Sequence, residues 1–200
     1  MEITAKLVSE LRNRTGTGIM ECKKALVETN GDLEAAIQLL REQGLKASEL
    51  KSGRIASEGL VVSYIHPGNR VGSLIEINCE TDFVARTEQF QNLAKDIAMQ
   101  VAASKPRYIS KDDVTEDVLE SEKAILTKQA LDEGKPAAIA EKIVTGRLAK
   151  FYSEVCLLEQ PYIRDTDKTI QQLLQETVAQ LGENIVVRRF SLFVLGQESN

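Results

Sequence analysis

The apolar positions of this 200-residue chain change their spacing several times, and each change marks an element. Leu7, Val8 and Leu11 fall at helical spacing behind Thr4, whose hydroxyl suits an N-cap. Thr15-Gly16-Thr17-Gly18 breaks that helix. Ile19, Met20, Cys22, Ala25 and Leu26 mark a second one. Asn30-Gly31 stops it, because both residues tolerate positive φ. Asp32 caps a third, which carries Leu33, Ala36, Ile37 and Leu40 and is expected to end at Gly44. Three short helices in so few residues make a small bundle. The polar residues 46–57 read as a linker with room for a helical turn.

From Gly59 the period becomes two. Leu60, Val62 and Tyr64 take one face of a strand, and Val61, Ser63 and Ile65 the other. Pro67-Gly68-Asn69 is turn chemistry, and Val71, Ser73, Ile75 and Ile77 form a second alternating run. The pair is a β-hairpin, with His66 as a solvated residue beside its turn. Helical spacing returns at Leu93, Ala94, Ile97, Ala98 and Val101 and stops at Ser104-Lys105-Pro106. Tyr108 and Ile109 predict a short extended piece. Residues 114–131 are charge-rich and helical. Gly134-Lys135-Pro136 turns the chain, with Pro136 expected in the first turn of a helix that Ile139, Ile143, Leu148 and Phe151 carry to Glu154. Two long helices joined by so tight a turn predict an antiparallel helical hairpin. After a brief apolar run closed by Pro161, Thr166 or Asp167 is expected to cap a helix bearing Ile170, Leu173, Leu174, Val178 and Leu181, ended by Gly182. Residues 185–195 alternate as a last strand, which Arg188-Arg189 interrupts as an edge or a bulge would. The chain shows no internal repeat. The fold class is α+β: a three-helix bundle, then a small antiparallel sheet packed with helices and a helical-hairpin arm.

The junction at residues 78–90 has two readings. Phe83, Phe90 and Ile97 recur at heptad spacing, so a helix capped by Asp82 would bury all three on one face. Alternatively Thr87 is the cap, with Glu88 and Gln89 in the positive first turn. Residues 81–86 would then be a loop, and Phe83 could stand in solvent.

Composition narrows the function. Charged residues make up 28% and hydrophobic ones 42%, as in ordinary globular proteins. A formal net charge of −5 argues against binding nucleic acid by phosphate neutralisation. No apolar run approaches the roughly 18 residues of a membrane span, and the N-terminus does not read as a signal peptide. Cys22, Cys79 and Cys156, odd in number and far apart, read as free thiols in a reducing compartment and fit no zinc spacing. Cysteine hydrolysis would need a histidine partner, and His66 is the one histidine. Gly16-Thr17-Gly18 follows a helix and lacks the third glycine of a dinucleotide cradle; Gly134-Lys135 lacks the upstream glycine of a P-loop. Binding, not covalent chemistry, is the expected role, with no cofactor and no metal site.

Three stretches carry a family resemblance. Thr81-Asp82-Phe83-Val84-Ala85-Arg86 follows an Ile77-Asn78-Cys79-Glu80 strand end. Residues 14–26 read Arg-Thr-Gly-Thr-Gly-Ile-Met-Glu-Cys-Lys-Lys-Ala-Leu. Further on stand Gly134-Lys135-Pro136, Gly146-Arg147-Leu148, Lys150-Phe151 and Gln160-Pro161-Tyr162. Together they resemble the elongation factor Ts family over nearly the whole chain. The resemblance implies a ubiquitin-associated-like helical domain at 1–46, a linker at 47–57, and a core and dimerisation domain at 58–200 with a coiled-coil arm at about 112–154. It implies a guanine-nucleotide exchange factor for elongation factor Tu, binding its GDP-bound and nucleotide-free forms. A GTPase holds its nucleotide through magnesium and backbone groups around the phosphates. Thr81, Asp82, Phe83 and Val84 would disturb that site, Phe83 as a wedge and Asp82 as a charge near the ion's ligands. Met20 and Lys23 are implied as further contacts. One copy of each motif implies the short, single-core form, a cytoplasmic homodimer that touches neither nucleic acid nor membrane. The competing class is an adaptor, ribosome-associated or binding a ubiquitin-like partner through the N-terminal bundle.

Overall fold

Thr4 starts the first helix by accepting the Leu7 N–H on its Oγ1 at 3.3 Å. The computed structural model describes residues 3–134 and 136–197, with the backbone alone at Ala137 and Ala138. Lys135 of the expected turn and the chain ends lie outside the described residues. Helix α1 is Ala5–Thr15, α2 Ile19–Glu28 and α3 Leu33–Lys51. Asp32 Oδ1 caps α3 by accepting the Ala35 N–H at 3.0 Å. Asn30 and Gly31 both take positive φ between α2 and α3. Val8, Leu11, Cys22, Ala25, Leu26, Ala36 and Leu40 make one buried cluster, so the three helices close on a core of their own.

Gly44 does not end α3. The helix runs through it to Lys51, into the stretch read as a linker. A Cβ at Gly44 would stand 3.2 Å from the Ala179 Cβ. The glycine marks close approach of another segment, a tertiary requirement that looks like a stop signal in sequence.

Strands β1 (Glu58–Ile65) and β2 (Val71–Cys79) form the expected hairpin. Asn69 donates its N–H to His66 O at 2.9 Å across the turn. Leu60, Val62 and Tyr64 are half-buried while Val61, Ser63 and Ile65 are exposed, as alternation requires. A Cβ at Gly59 would come within 2.1 Å of Ile77 O, so only glycine permits the strands this approach. Beyond β2 come α4 (Asp82–Ala85), α5 (Glu88–Ser104), α6 (Glu116–Asp132) and α7 (Ala137–Val155), with a 3₁₀ turn at Lys111–Asp113. Leu126, Ala130, Ala140 and Val144 are buried on α6 and α7, which pack together. Arg147 donates to both Glu133 oxygens, at 2.7 and 2.9 Å, tying the hairpin near its turn. Pro136 is the residue before α7 and not part of its first turn; its ψ of 145° is extended.

The two-stranded pair β3 (Pro161–Tyr162) and β4 (Asp165–Thr169) precedes α8 (Ile170–Leu181), and β5 (Val186–Val194) follows. Neither Thr166 nor Asp167 caps a helix, contrary to expectation. Both residues belong to β4, and the helix begins only at Ile170, whose N–H donates to Gln160 O at 3.0 Å. Pairing with β3 overrides the local capping signal. The three-stranded antiparallel sheet has the order β1-β2-β5, which puts β5 at an edge. Burial slips by one position across Arg188-Arg189: Val187 is buried, and then Phe190, Leu192 and Val194 face inward.

The chain divides into two compact units. One comprises residues up to 61, 76–94 and 172–188; the other comprises 62–75, 95–171 and the residues from 189 on. In the second, buried Gln100 donates to Gln160 Oε1 and Pro161 O, both at 3.2 Å, and accepts the Ile163 N–H at 3.0 Å. One side chain thus holds the start of the β3–β4 pair against α5.

Candidate functional site

The corner after β2 is built by two threonines. Thr81 Oγ1 faces the Val84 N–H at 3.4 Å and caps α4. Thr87 Oγ1 donates to Val84 O at 2.7 Å and accepts the Phe90 N–H at 3.2 Å. Thr87 therefore closes one helical turn and opens α5, as its sequence context indicates. Residues 81–86 are not the open loop of that reading: Asp82–Ala85 is a helical turn of its own. Nor is Asp82 a cap. It lies inside the turn, and its Oδ2 pairs with Arg86 Nη2 at 2.8 Å.

The break between α4 and α5 removes Phe83 from the line of Phe90 and Ile97. Phe90 and Ile97 are fully buried, whereas Phe83 is 78% exposed. Ala85 turns inward instead and is buried. Thr81, Asp82, Phe83 and Val84 thus share one helical turn that holds a large ring in solvent with a carboxylate beside it. Met20 and Lys23 lie on a separate element, α2. Both are exposed, as are the apolar Ile19 and Val27 of the same helix.

The turn is tied down from far along the chain. One oxygen of Glu183 accepts the N–H groups of Glu80 and Thr81 at 3.1 and 3.0 Å. Its other oxygen accepts the Thr81 hydroxyl at 2.6 Å. Glu80 Oε1 in turn accepts the Asn184 N–H at 2.7 Å and lies 3.6 Å from Arg54 Nη1. Buried Asn184 donates to Ser52 O and Arg54 O at 3.3 and 2.8 Å. The Cys79 thiol, behind the turn, donates to Thr81 O at 3.1 Å. Burial, with the negative charge of Glu183, pushes its pKa up to about 11, so it stays protonated at neutral pH and serves as a packed donor. Glu80, Glu183 and Asn184 were not among the sequence candidates. Glu183 and Thr81 are 102 positions apart, and no local spacing announces such a contact.

Among the described residues, no three His, Cys, Asp or Glu side chains come together as metal ligands, and no helix is long and apolar enough to cross a membrane. The family model described as Elongation factor TS matches residues 2–197. The chain belongs to the elongation factor Ts family. Its relatives agree. Elongation factor Ts of Caldanaerobacter subterraneus subsp. tengcongensis is 61% identical over 195 residues, covering 98% of each chain. That of Desulforamulus reducens is 59% identical over 196 residues, 98% of this chain and 90% of its own. That of Carboxydothermus hydrogenoformans is 58% identical over 195 residues, with the same coverage. This elongation factor Ts family member is therefore a translation elongation factor. The first resemblance-bearing motif is the anchored corner, and the second runs from the end of α1 into α2.

Proposed function

We propose that this protein is a guanine-nucleotide exchange factor that binds elongation factor Tu·GDP and promotes GDP release during translation elongation. The observation that carries the reading is Phe83, an exposed ring on an anchored turn. An aromatic side chain held in water has no folding role, but it can fill an apolar pocket on a partner at little entropic cost. Asp82 stands beside it, half-exposed, and supplies negative charge where the partner's magnesium is coordinated. Displacing that ion's support weakens the hold on the phosphates without any covalent step. Thr81 and Val84 shape the turn; Met20 and Lys23 on α2 add a second contact area. In this reading residues 1–46 are a ubiquitin-associated-like domain joined by 47–57 to the core at 58–200, and the protein works in the cytoplasm.

Exchange requires thermodynamic reciprocity. If the protein lowers the partner's affinity for GDP, GDP lowers the partner's affinity for the protein by the same factor. Titrating GDP into a preformed complex should dissociate it, which calorimetry or gel filtration will show. A complex equally tight at saturating GDP would favour the adaptor class instead.

The functional unit in this proposal is a homodimer. Ile65, Leu74, Phe193 and Leu195 line one open groove on strands of the sheet and its edge, and all four are exposed. Such an apolar face on a lone chain favours self-association. Sedimentation equilibrium should give a mass near twice 22.1 kDa. A strict monomer at micromolar concentration would remove the dimer from the proposal.

A further inference from the structure

We propose that Glu183 is the positioning residue of the exchange turn, acting through the reach of its side chain and not through its charge. The inference rests on the reading of residues 81–84 as that turn. The corner begins where β2 ends, so the N–H groups of Glu80 and Thr81 lie just past the strand. Without an acceptor they would be solvated and the turn free to swing. Glu183 satisfies both from one oxygen and takes the Thr81 hydroxyl on the other. Because Thr81 Oγ1 donates to Glu183, its lone pair is left facing Val84 N, the geometry that caps the turn carrying Phe83.

Glu183 is itself immobilised. Gly182 before it takes φ +80 and stops α8, its N–H donating to Val178 O at 2.9 Å. Asn184 after it is buried and bonded to Glu80, Ser52 and Arg54. Glu183 thus holds the backbone N–H groups of Glu80 and Thr81, while Glu80 holds the backbone N–H of Asn184, the residue after Glu183. Both oxygens of Glu183 are occupied by internal donors. The residue therefore sets where Phe83 stands without needing to touch the partner itself.

The two roles of a carboxylate can be separated by substitution. In Glu183→Gln, the amide oxygen can still accept both N–H groups and its NH₂ can donate to Thr81 Oγ1, which has a free lone pair. In Glu183→Asp the charge stays, but the shorter side chain cannot span all three donors. The experiment measures GDP release from elongation factor Tu with the full-length protein, beside urea unfolding of each variant. Glu183→Gln is expected to stay within about threefold of wild type, and Glu183→Asp and Glu183→Ala to slow release by about tenfold or more, since small displacements of a positioning group have large rate effects. Combined with Phe83→Ala, Glu183→Asp should slow release by less than about twofold further, because the two act through one ring. The inference is overturned if Gln is as slow as Asp, if Asp matches wild type, or if the Asp effect persists undiminished beside Phe83→Ala. Release unaffected by Phe83→Ala alone would sink the reading of the turn, a separate outcome. The Gln and Asp pair decides the matter even where Glu183→Ala fails to fold.

Discussion

Phe83→Ala is expected to leave the protein folded and to cripple it as an exchange factor. The ring is 78% exposed, so its removal opens no cavity in the core. Substitutions at such surface positions change stability by about 0.5 kcal/mol or less. An aromatic anchor at an interface carries roughly 2 kcal/mol or more, which converts to about a 30-fold loss in GDP release at subsaturating protein. Asp82→Ala should follow the same pattern. Its ion pair with Arg86 joins side chains 46% and 78% exposed, a setting in which such pairs contribute at most about 1 kcal/mol. The measurement is stopped-flow release of fluorescent GDP beside the urea midpoint of each variant. Normal release by Phe83→Ala would leave the turn without its proposed role.

Phe90→Ala should do the reverse. This ring is fully buried, one residue into the first turn of α5 beyond Glu88 and Gln89, and its N–H is held by Thr87. Truncating a buried phenylalanine costs roughly 3–5 kcal/mol through lost burial and the cavity left behind. Against a typical total of about 5–15 kcal/mol, that is a large share of the stability. The urea midpoint should fall accordingly. Any loss of exchange should track the unfolded fraction and recover in conditions that restore folding. A Phe90→Ala protein within about 1 kcal/mol of wild type would contradict the packing of α5 described above.

The contrast between two phenylalanines seven positions apart shows where sequence reasoning runs out. Heptad spacing alone would bury both. What separates them is the interruption at Arg86-Thr87, and Thr87 is visible in the sequence as a cap. The sequence thus contained the alternative that the structure adopts, without a reason to prefer it over a single helix from Asp82. Gly44 shows the complementary failure. As a local signal it ends a helix, yet α3 passes through it because Ala179 crowds the position its Cβ would occupy. Thr166 and Asp167 fail in the same way: capping residues by type, they lie inside β4, between the Asp165 and Thr169 that pair with Tyr162 and Pro161.

The sequence by itself determined the order and kind of most elements, the caps at Thr4 and Asp32, the β1–β2 hairpin, the helical-hairpin arm and, through its motifs, the family. These follow from hydrophobic period and turn chemistry, which are settled by residues within a few positions of one another. Tertiary structure alone decided that Thr81 and not Asp82 caps the turn, that Glu183 and Asn184 hold it, and that Glu80 holds the Asn184 N–H. The contacts of Glu80 and Thr81 with Glu183 and Asn184 join segments about 100 positions apart. A carboxylate on a loop has no periodicity that names its partner, so its role appears only when folding brings the donors to it.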